Sequence, residues 1–265
     1  MSGPIAIMTD FGLHDAYVGV VKGVILSFCP KAAIMDLCHE IPPQDITAAA
    51  FTLRVSAPYF PKGTLFVCIV DPGVGSKRRI LWARTAKHQF LAPDNGLLSW
   101  ITDPFLEVRC VQNSGLWLPE ISATFHGRDV FAPTAGRLAA GLRPQRLGPK
   151  IKDFQNMPFP QPQSDQEGVH GKILLIDRFG NAVTNLAPSH VASCQGVIFK
   201  GHRLPMRNHY AEAKPKEALA LIGSSGYLEL SIRNGDFSRA FQARPGNQVH
   251  ARYVKDYVSL NQFAT

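Results

Sequence analysis

No apolar run in this chain approaches the length of a bilayer span. No basic segment followed by an apolar stretch opens it, so no signal peptide and no membrane partner are expected. Cys-x-x-Cys pairs are missing too. The five cysteines, Cys29, Cys38, Cys68, Cys110 and Cys194, are odd in number and widely spaced. That argues against a disulfide framework or a cysteine zinc site and points to a reduced, cytoplasmic setting, and no metal site is expected. Internal repeats and low-complexity tracts are also missing. A long basic arm is absent: the net charge is +8, but the densest cluster is only Lys77-Arg78-Arg79. The basic surface therefore reads as a solubility feature, and no nucleic-acid partner is expected.

What remains is an ordinary globular composition, 45% hydrophobic and 18% charged over 265 residues, enough for one large domain or two modest ones. Leu65 to Val70 is apolar throughout and reads as a buried strand. It ends on Asp71, followed by Pro72-Gly73. Pro4 to Met8 likewise runs into Thr9-Asp10-Phe11-Gly12. In open α/β sheets ligands bind beyond the carboxyl ends of strands, so two strands that each end in an acid and a glycine turn suggest one shared pocket. A lone aspartate there would more simply order its turn.

Up to about residue 150 the pattern alternates between strand and helix. Ala16–Phe28 carries apolar residues at helical spacing, Lys31–Leu37 is a strand candidate, and Asp45 is a candidate N-cap. Ile80–Ala83 and Gln89–Ala92 are short strands, Asn95-Gly96 opens a short helix, and Asp129–Gly141 is a helix that Pro133 should interrupt early. This predicts a mostly parallel sheet with flanking helices over 1–150. Residues 151–170, with Pro158, Pro160 and Pro162, read as a linker. From 171 to 265 the chain is strand-rich, with candidates at 172–176, 182–186, 196–200, 218–222, 227–232 and 249–254. This predicts an all-β, barrel-like domain.

Four turns carry the polar residues. In Thr9-Asp10-Phe11-Gly12, followed by Asp15, a carboxylate can take both hydroxyls of a ribose or pair with an ammonium; Asp15 alone would be an N-cap. Asp71-Pro72-Gly73-Val74-Gly75-Ser76-Lys77-Arg78 has the glycines of a phosphate loop but not its spacing, which excludes a nucleoside-triphosphatase. Pro93-Asp94-Asn95-Gly96 is explained by a tight turn into a helix. In Thr124-Phe125-His126-Gly127-Arg128-Asp129 a histidine stands beside a glycine before a helix start, where structural and catalytic readings balance.

The order Thr-Asp-Phe-Gly, Asp-Pro-Gly-Val-Gly, Pro-Asp-Asn-Gly and Phe-His-Gly-Arg-Asp resembles the S-adenosyl-L-methionine hydroxide adenosyltransferases, relatives of the fluorinases and chlorinases. Ile176-Asp177-Arg178-Phe179-Gly180-Asn181 and Ile222-Gly223-Ser224-Ser225-Gly226-Tyr227-Leu228-Glu229 resemble that family's C-terminal signatures, so the likeness spans nearly the whole chain. The resemblance implies hydrolysis of S-adenosyl-methionine to adenosine and L-methionine, with no cofactor. It also implies a homotrimer whose active sites lie between one subunit's N-terminal domain and its neighbour's C-terminal domain. By position, Asp71, Arg78 and His126 correspond to the water-activating set and Asp10 to the ribose carboxylate. Asp15, Asp177 and Ser224-Ser225 correspond to the methionine end, and Asn181 to the adenine. Halogenating relatives carry Tyr-Ser where this chain has His126-Gly127. The chain departs from the family at Asn234-Gly235-Asp236-Phe237-Ser238-Arg239-Ala240, where relatives have Asn-x-Gly-Ser-Ala-Ala near the adenine. The alternative is a binding module that holds the ligand intact.

The sulfonium is a good leaving group and departs as a neutral thioether, so no general acid is needed. Arg78 cannot serve as a base, because its guanidinium stays protonated. His126 is then the expected proton acceptor, with Asp71 orienting it or the water.

Overall fold

The structure is a computed structural model, described over residues 3–253. The chain divides into two compact units, 1–159 and 160–265. The first is built on a six-stranded sheet of β1 (Ile5–Thr9), β2 (Ile34–Cys38), β3 (Leu65–Ile69), β4 (Ile80–Arg84), β5 (Gln89–Pro93) and β6 (Glu107–Cys110). The spatial order is β2-β1-β3-β5-β4-β6. The β1–β2, β1–β3 and β3–β5 pairs are parallel, while β4 runs antiparallel to both β5 and β6. The sheet is thus mixed, parallel where it carries the pocket and antiparallel at one edge. The short connection between β4 and β5 explains the reversal, since a parallel crossover needs a dozen residues or more.

β1 and β3 are buried along their whole length, as the unbroken apolar runs predict. Helices cover both faces. α1 (Tyr17–Phe28) and α3 (Ala132–Ala139) pack with Ile7, Val67 and Trp82, and α2 (Ile46–Ser56) packs the opposite face with Met8, Phe66 and Phe90. Asp45 caps α2 as expected, its Oδ1 accepting the Ala48 N–H at 2.8 Å. Pro133 lies inside a continuous helical stretch: a π-helical turn over Gly127–Phe131, closed by the Ala132 N–H on the Gly127 carbonyl, runs directly into α3, so the early irregularity takes the form of a π-helical turn just before the proline.

The second unit is an eight-stranded antiparallel sheet. Its strands are β7 (Gln163–Ser164), β8 (Gly168–Ile176), β9 (Ala182–Thr184), β10 (Cys194–Phe199), β11 (His202–Pro205), β12 (Ala218–Ile222), β13 (Leu228–Ile232) and β14 (Gln248–Tyr253). The path is β11-β10-β14-β8-β9-β13-β12, with β7 beside β8. A bridge between Met206 and Ala220 joins the two ends of that path, so the sheet curls into a nearly closed barrel. Its interior holds Phe199, Leu230, Phe237 and Val249. Strands β7 and β8 begin inside the segment read as a linker, and Phe154 packs against the core of the first unit. The expected strand over 249–254 is β14; residue 254 lies outside the described residues.

Candidate active site

The loops beyond β1 and β3 and the turn before α3 enclose a pocket of about 230 Å³. Asp10, Phe11, Gln44, Asp71, Thr124, Phe125, His126 and Gly127 all line it. The strand-end aspartates therefore do share one pocket.

Asp71 is nearly inaccessible and is gripped from the side by Arg78. The Arg78 Nε lies 2.8 and 2.9 Å from the two carboxylate oxygens, and an Nη2 bond to Oδ2 completes a two-pronged ion pair. The same Nη2 lies 2.9 Å from His126 Nδ1. One guanidinium thus ties together side chains from two separate loops. The loop that carries Asp71 depends on glycine. Gly75 has φ of +78°, and a Cβ there would lie 2.3 Å from the Ala123 carbonyl oxygen, so only glycine lets the two loops meet.

This contact settles the resting state of His126. A guanidinium only donates, so Nδ1 must accept and the ring proton must sit on Nε2. Burial, followed by the nearby Arg78 charge, holds the imidazole pKa below its usual value, against the weaker pull of Asp71 and Asp129. His126 is therefore neutral, with its basic nitrogen already occupied. On this geometry the ring nitrogen left free, Nε2, is a donor.

Asp10 is held by backbone. Its Oδ2 accepts the Gln44 N–H at 2.8 Å, and Gln44 sits at φ of 66°, a left-handed conformation uncommon for a residue with a side chain. Behind Asp10, the buried Thr9 bonds His39 Nδ1 at 2.9 Å, and His39 Nε2 lies 3.0 Å from Asp36 Oδ1. Lys22 completes the chain on Asp36 at 2.7 Å. An ionised Asp36 can only accept, so His39 donates through Nε2 and receives the Thr9 hydroxyl proton through Nδ1. The Thr9 oxygen in turn accepts the Phe11 N–H. Neither His39 nor Gln44 was read from the sequence, because both act across 30 or more residues.

The pocket wall is aromatic. Phe11, Tyr17 and Phe125 form a triangle with centroids 5.1 to 5.9 Å apart. Gly127 packs against it: a Cβ there would lie 3.2 Å from Phe125 and 3.4 Å from Phe11. Asp15 is neither in this pocket nor a cap. Ala16 takes the N-cap position of α1, and Asp15 is exposed, 3.7 Å from His14. Asp94 and Asn95 are structural, as the turn reading expected. Asp94 holds Arg79 and the Gln155 N–H, and Asn95 bonds the Val70 carbonyl.

The remaining candidates lie in the second unit. Asp177, just beyond β8, accepts the N–H groups of Phe179 and Asn181, and its other oxygen accepts from Asn181 Nδ2 at 3.0 Å. Asp177 and Asn181 are thus a bonded pair within one turn. Ser224 is exposed in the β12–β13 turn, whereas the neighbouring Ser225 Oγ is buried without a hydrogen-bond partner. A buried unpaired hydroxyl asks for a ligand or water. Near this turn, buried Glu229 accepts the Tyr210 hydroxyl at 2.5 Å and the Ser231 hydroxyl at 2.7 Å. The sequence reading did not single out Tyr210 or Glu229 individually.

The pocket at the carboxyl ends of parallel strands thus carries an arginine-locked aspartate beside a histidine, the arrangement of an enzyme site. Comparison with known proteins gives the family. Residues 5–148 match the SAM hydroxide adenosyltransferase N-terminal domain and residues 171–250 its C-terminal domain, and the chain belongs to that family. It is 40% identical to an (R)-S-adenosyl-L-methionine hydrolase of Thermus thermophilus, over 93% of this chain and 98% of that one. It is 26% identical to a fluorinase of Nocardia brasiliensis, over 94% of this chain and 96% of the fluorinase. A solved structure of an uncharacterized conserved protein from Thermotoga maritima superposes with a TM-score of 0.86 at 31% identity, covering 92% of this chain and 98% of that one.

Proposed function

We propose that this protein is an enzyme that hydrolyses S-adenosyl-L-methionine to adenosine and L-methionine. The observation that carries the reading is that Asp71 and His126, tied to each other by Arg78, line the same pocket as Asp10. Water attacks the ribose C5′. The C5′–O bond forms as the C5′–S bond breaks, and its electron pair leaves on sulfur as a neutral thioether. One proton leaves the water.

Asp71 is the proposed proton acceptor. Its oxygens keep lone pairs beyond those used by Arg78, and it is the only anion of the three. Arg78 fixes Asp71 and His126 to each other, and His126 orients the water by donating from Nε2. In-line placement of the water contributes the larger share, roughly 7–11 kcal/mol, against a general-base term of about 10²–10⁴-fold. Asp10 takes the ribose hydroxyls through the oxygen not held by Gln44. Asp177, Asn181, Ser224 and Ser225 receive the methionine and adenine ends. Asp15, exposed and outside the pocket, is the weakest of the proposed substrate contacts.

Gly127 favours water over halide. A serine there would press on Phe125 and Phe11 before it offered a hydroxyl. The proposed substrate contacts fall on both units of the chain, which accords with a homotrimer that pairs units of neighbouring subunits. Five free thiols accord with a cytoplasmic setting. Light scattering of the purified protein tests the trimer.

The decisive assay incubates the protein with S-adenosyl-L-methionine in ¹⁸O-labelled water and follows products by mass spectrometry. Adenosine labelled at the 5′ oxygen, plus unlabelled methionine, is expected. Intact bound substrate would overturn the reading and make the protein a binding module.

A further inference from the structure

A cluster in the second unit serves none of the chemistry above. His170 on β8 and His250 on β14 are directly opposed across an antiparallel pair, with rings stacked 4.1 Å apart. Asp165, just beyond β7, places Oδ2 2.7 Å from His170 Nε2. Its other oxygen is pinned by the N–H groups of Glu167 and Gly168, which fixes the carboxylate towards the imidazoles. One potential ligand atom from each of the three residues lies within 4.8 Å of the others.

Two details mark this cluster as more than a surface ion pair. His250 Nε2 is buried and has no hydrogen-bond partner. An orphaned buried nitrogen calls for a missing water or ion. Gly168 gives the strands their close approach: a Cβ there would lie 2.1 Å from the Ala251 carbonyl oxygen and 2.8 Å from His250 Nε2. The cation next along β14, Arg252, is engaged by Glu167 at 3.5 Å, which offsets its charge beside the site.

We propose that Asp165, His170 and His250 form a binding site for a divalent transition-metal ion of the zinc class. Two imidazole nitrogens and one carboxylate oxygen are a ligand set that zinc accepts, with water in a fourth position. Metal–ligand bonds of about 2.0–2.2 Å require the three atoms to draw together by side-chain rotation, while the strands already hold their Cα positions. The ion takes the place of the proton between His170 Nε2 and Asp165, and the neutral ring then carries its proton on Nδ1. It also supplies the partner that His250 Nε2 lacks.

The expectation of no metal rested on the cysteines. These ligands are instead two histidines on β8 and β14 and an aspartate in the turn after β7, with no compact sequence spacing. His170 precedes Asp177 along β8 by about 20 Å at the usual strand rise, so the ion is structural and outside the hydrolytic chemistry. It ties β14 to the first strands of its unit.

The test titrates zinc chloride into the full-length protein, freed of metal by chelation, with calorimetry and thermal denaturation as readouts. One ion per chain and a rise in Tm are expected. His170→Gln and His250→Gln should each weaken binding by more than about tenfold, a loss seen even for groups that only orient a metal ligand. Both should keep S-adenosyl-L-methionine cleavage, which also reports that they fold. The cobalt-loaded wild-type protein should show no thiolate charge-transfer band. Absence of binding, wild-type affinity in both variants, or a cobalt–thiolate band would each overturn the site. The cobalt spectrum decides even if a variant fails to fold.

Discussion

His126→Gln separates a histidine that donates a hydrogen bond from one that takes a proton. In the structure Nδ1 accepts from Arg78 at 2.9 Å, so the ring proton rests on Nε2. A glutamine amide keeps one acceptor and a donor but cannot take up a proton at neutral pH. If His126 only donates, the variant loses roughly the quality of one neutral hydrogen bond, about 1 kcal/mol, or about fivefold in kcat. If His126 is the base, the loss is about 10²–10⁴-fold. His126→Ala removes both bonds and leaves an Arg78 N–H unanswered, an added cost of about 1–3 kcal/mol. The assay is adenosine release under single-turnover conditions, across pH, for wild type and both variants. Wild-type activity should fall on the acid side, because protonating Nδ1 sets it against Arg78. Burial lowers this pKa, so the fall lies below the usual histidine range of about 6.5. The glutamine variant should lose that acid limb while keeping most of its plateau rate. A glutamine variant as inactive as the alanine one would refute the donor assignment and return His126 to the role of base.

Asp71→Asn should lower kcat by about 100-fold or more with little change in substrate affinity, because it removes the acceptor but little volume. Equal losses in binding and rate, by equilibrium dialysis against turnover, would count against it. His39→Ala leaves the buried Thr9 hydroxyl without its partner and should cost about 1–3 kcal/mol in chemical denaturation. The same change should raise KM more than it lowers kcat, since Thr9 orders the turn that presents Asp10; an unchanged KM would sever that link. Gly127→Ser should yield no 5′-halogenated adenosine in chloride or fluoride and should slow hydrolysis, because its Cβ meets Phe125 at 3.2 Å. Halide incorporation detected by mass spectrometry would show that this glycine alone decides the nucleophile.

The sheet and its two strand-end aspartates were legible because burial on both faces leaves an unbroken apolar run, and β1 and β3 are such runs. The Asp45 cap was legible because capping is local, acting within three residues. β6 was missed: its alternation Glu107-Val108-Arg109-Cys110 is too short to stand out, and only its pairing with β4 makes it a strand. Acid at a helix start is a general preference, yet here Ala16 takes the cap position of α1 and Asp15 is exposed, a local choice that the residue types do not reveal.

The same contrast governs the site. Residue types within each loop revealed Asp10, Asp71 and His126, but their protonation roles depend on contacts the sequence does not order. Arg78 is the decisive case. It is seven residues from Asp71 and 48 from His126, and a single guanidinium nitrogen reaches both. Read alone, His126 is the natural base near neutral pH. Once Arg78 occupies Nδ1, the imidazole has no vacant acceptor, and the proposed proton acceptor is the carboxylate on the other side of the same guanidinium. The chemistry tolerates that weaker acceptor because the sulfonium leaves without help. A site built on this logic puts its investment into alignment: an arginine that locks two loops, a glycine that lets them touch, and a threonine–histidine–aspartate chain that steadies the turn carrying Asp10.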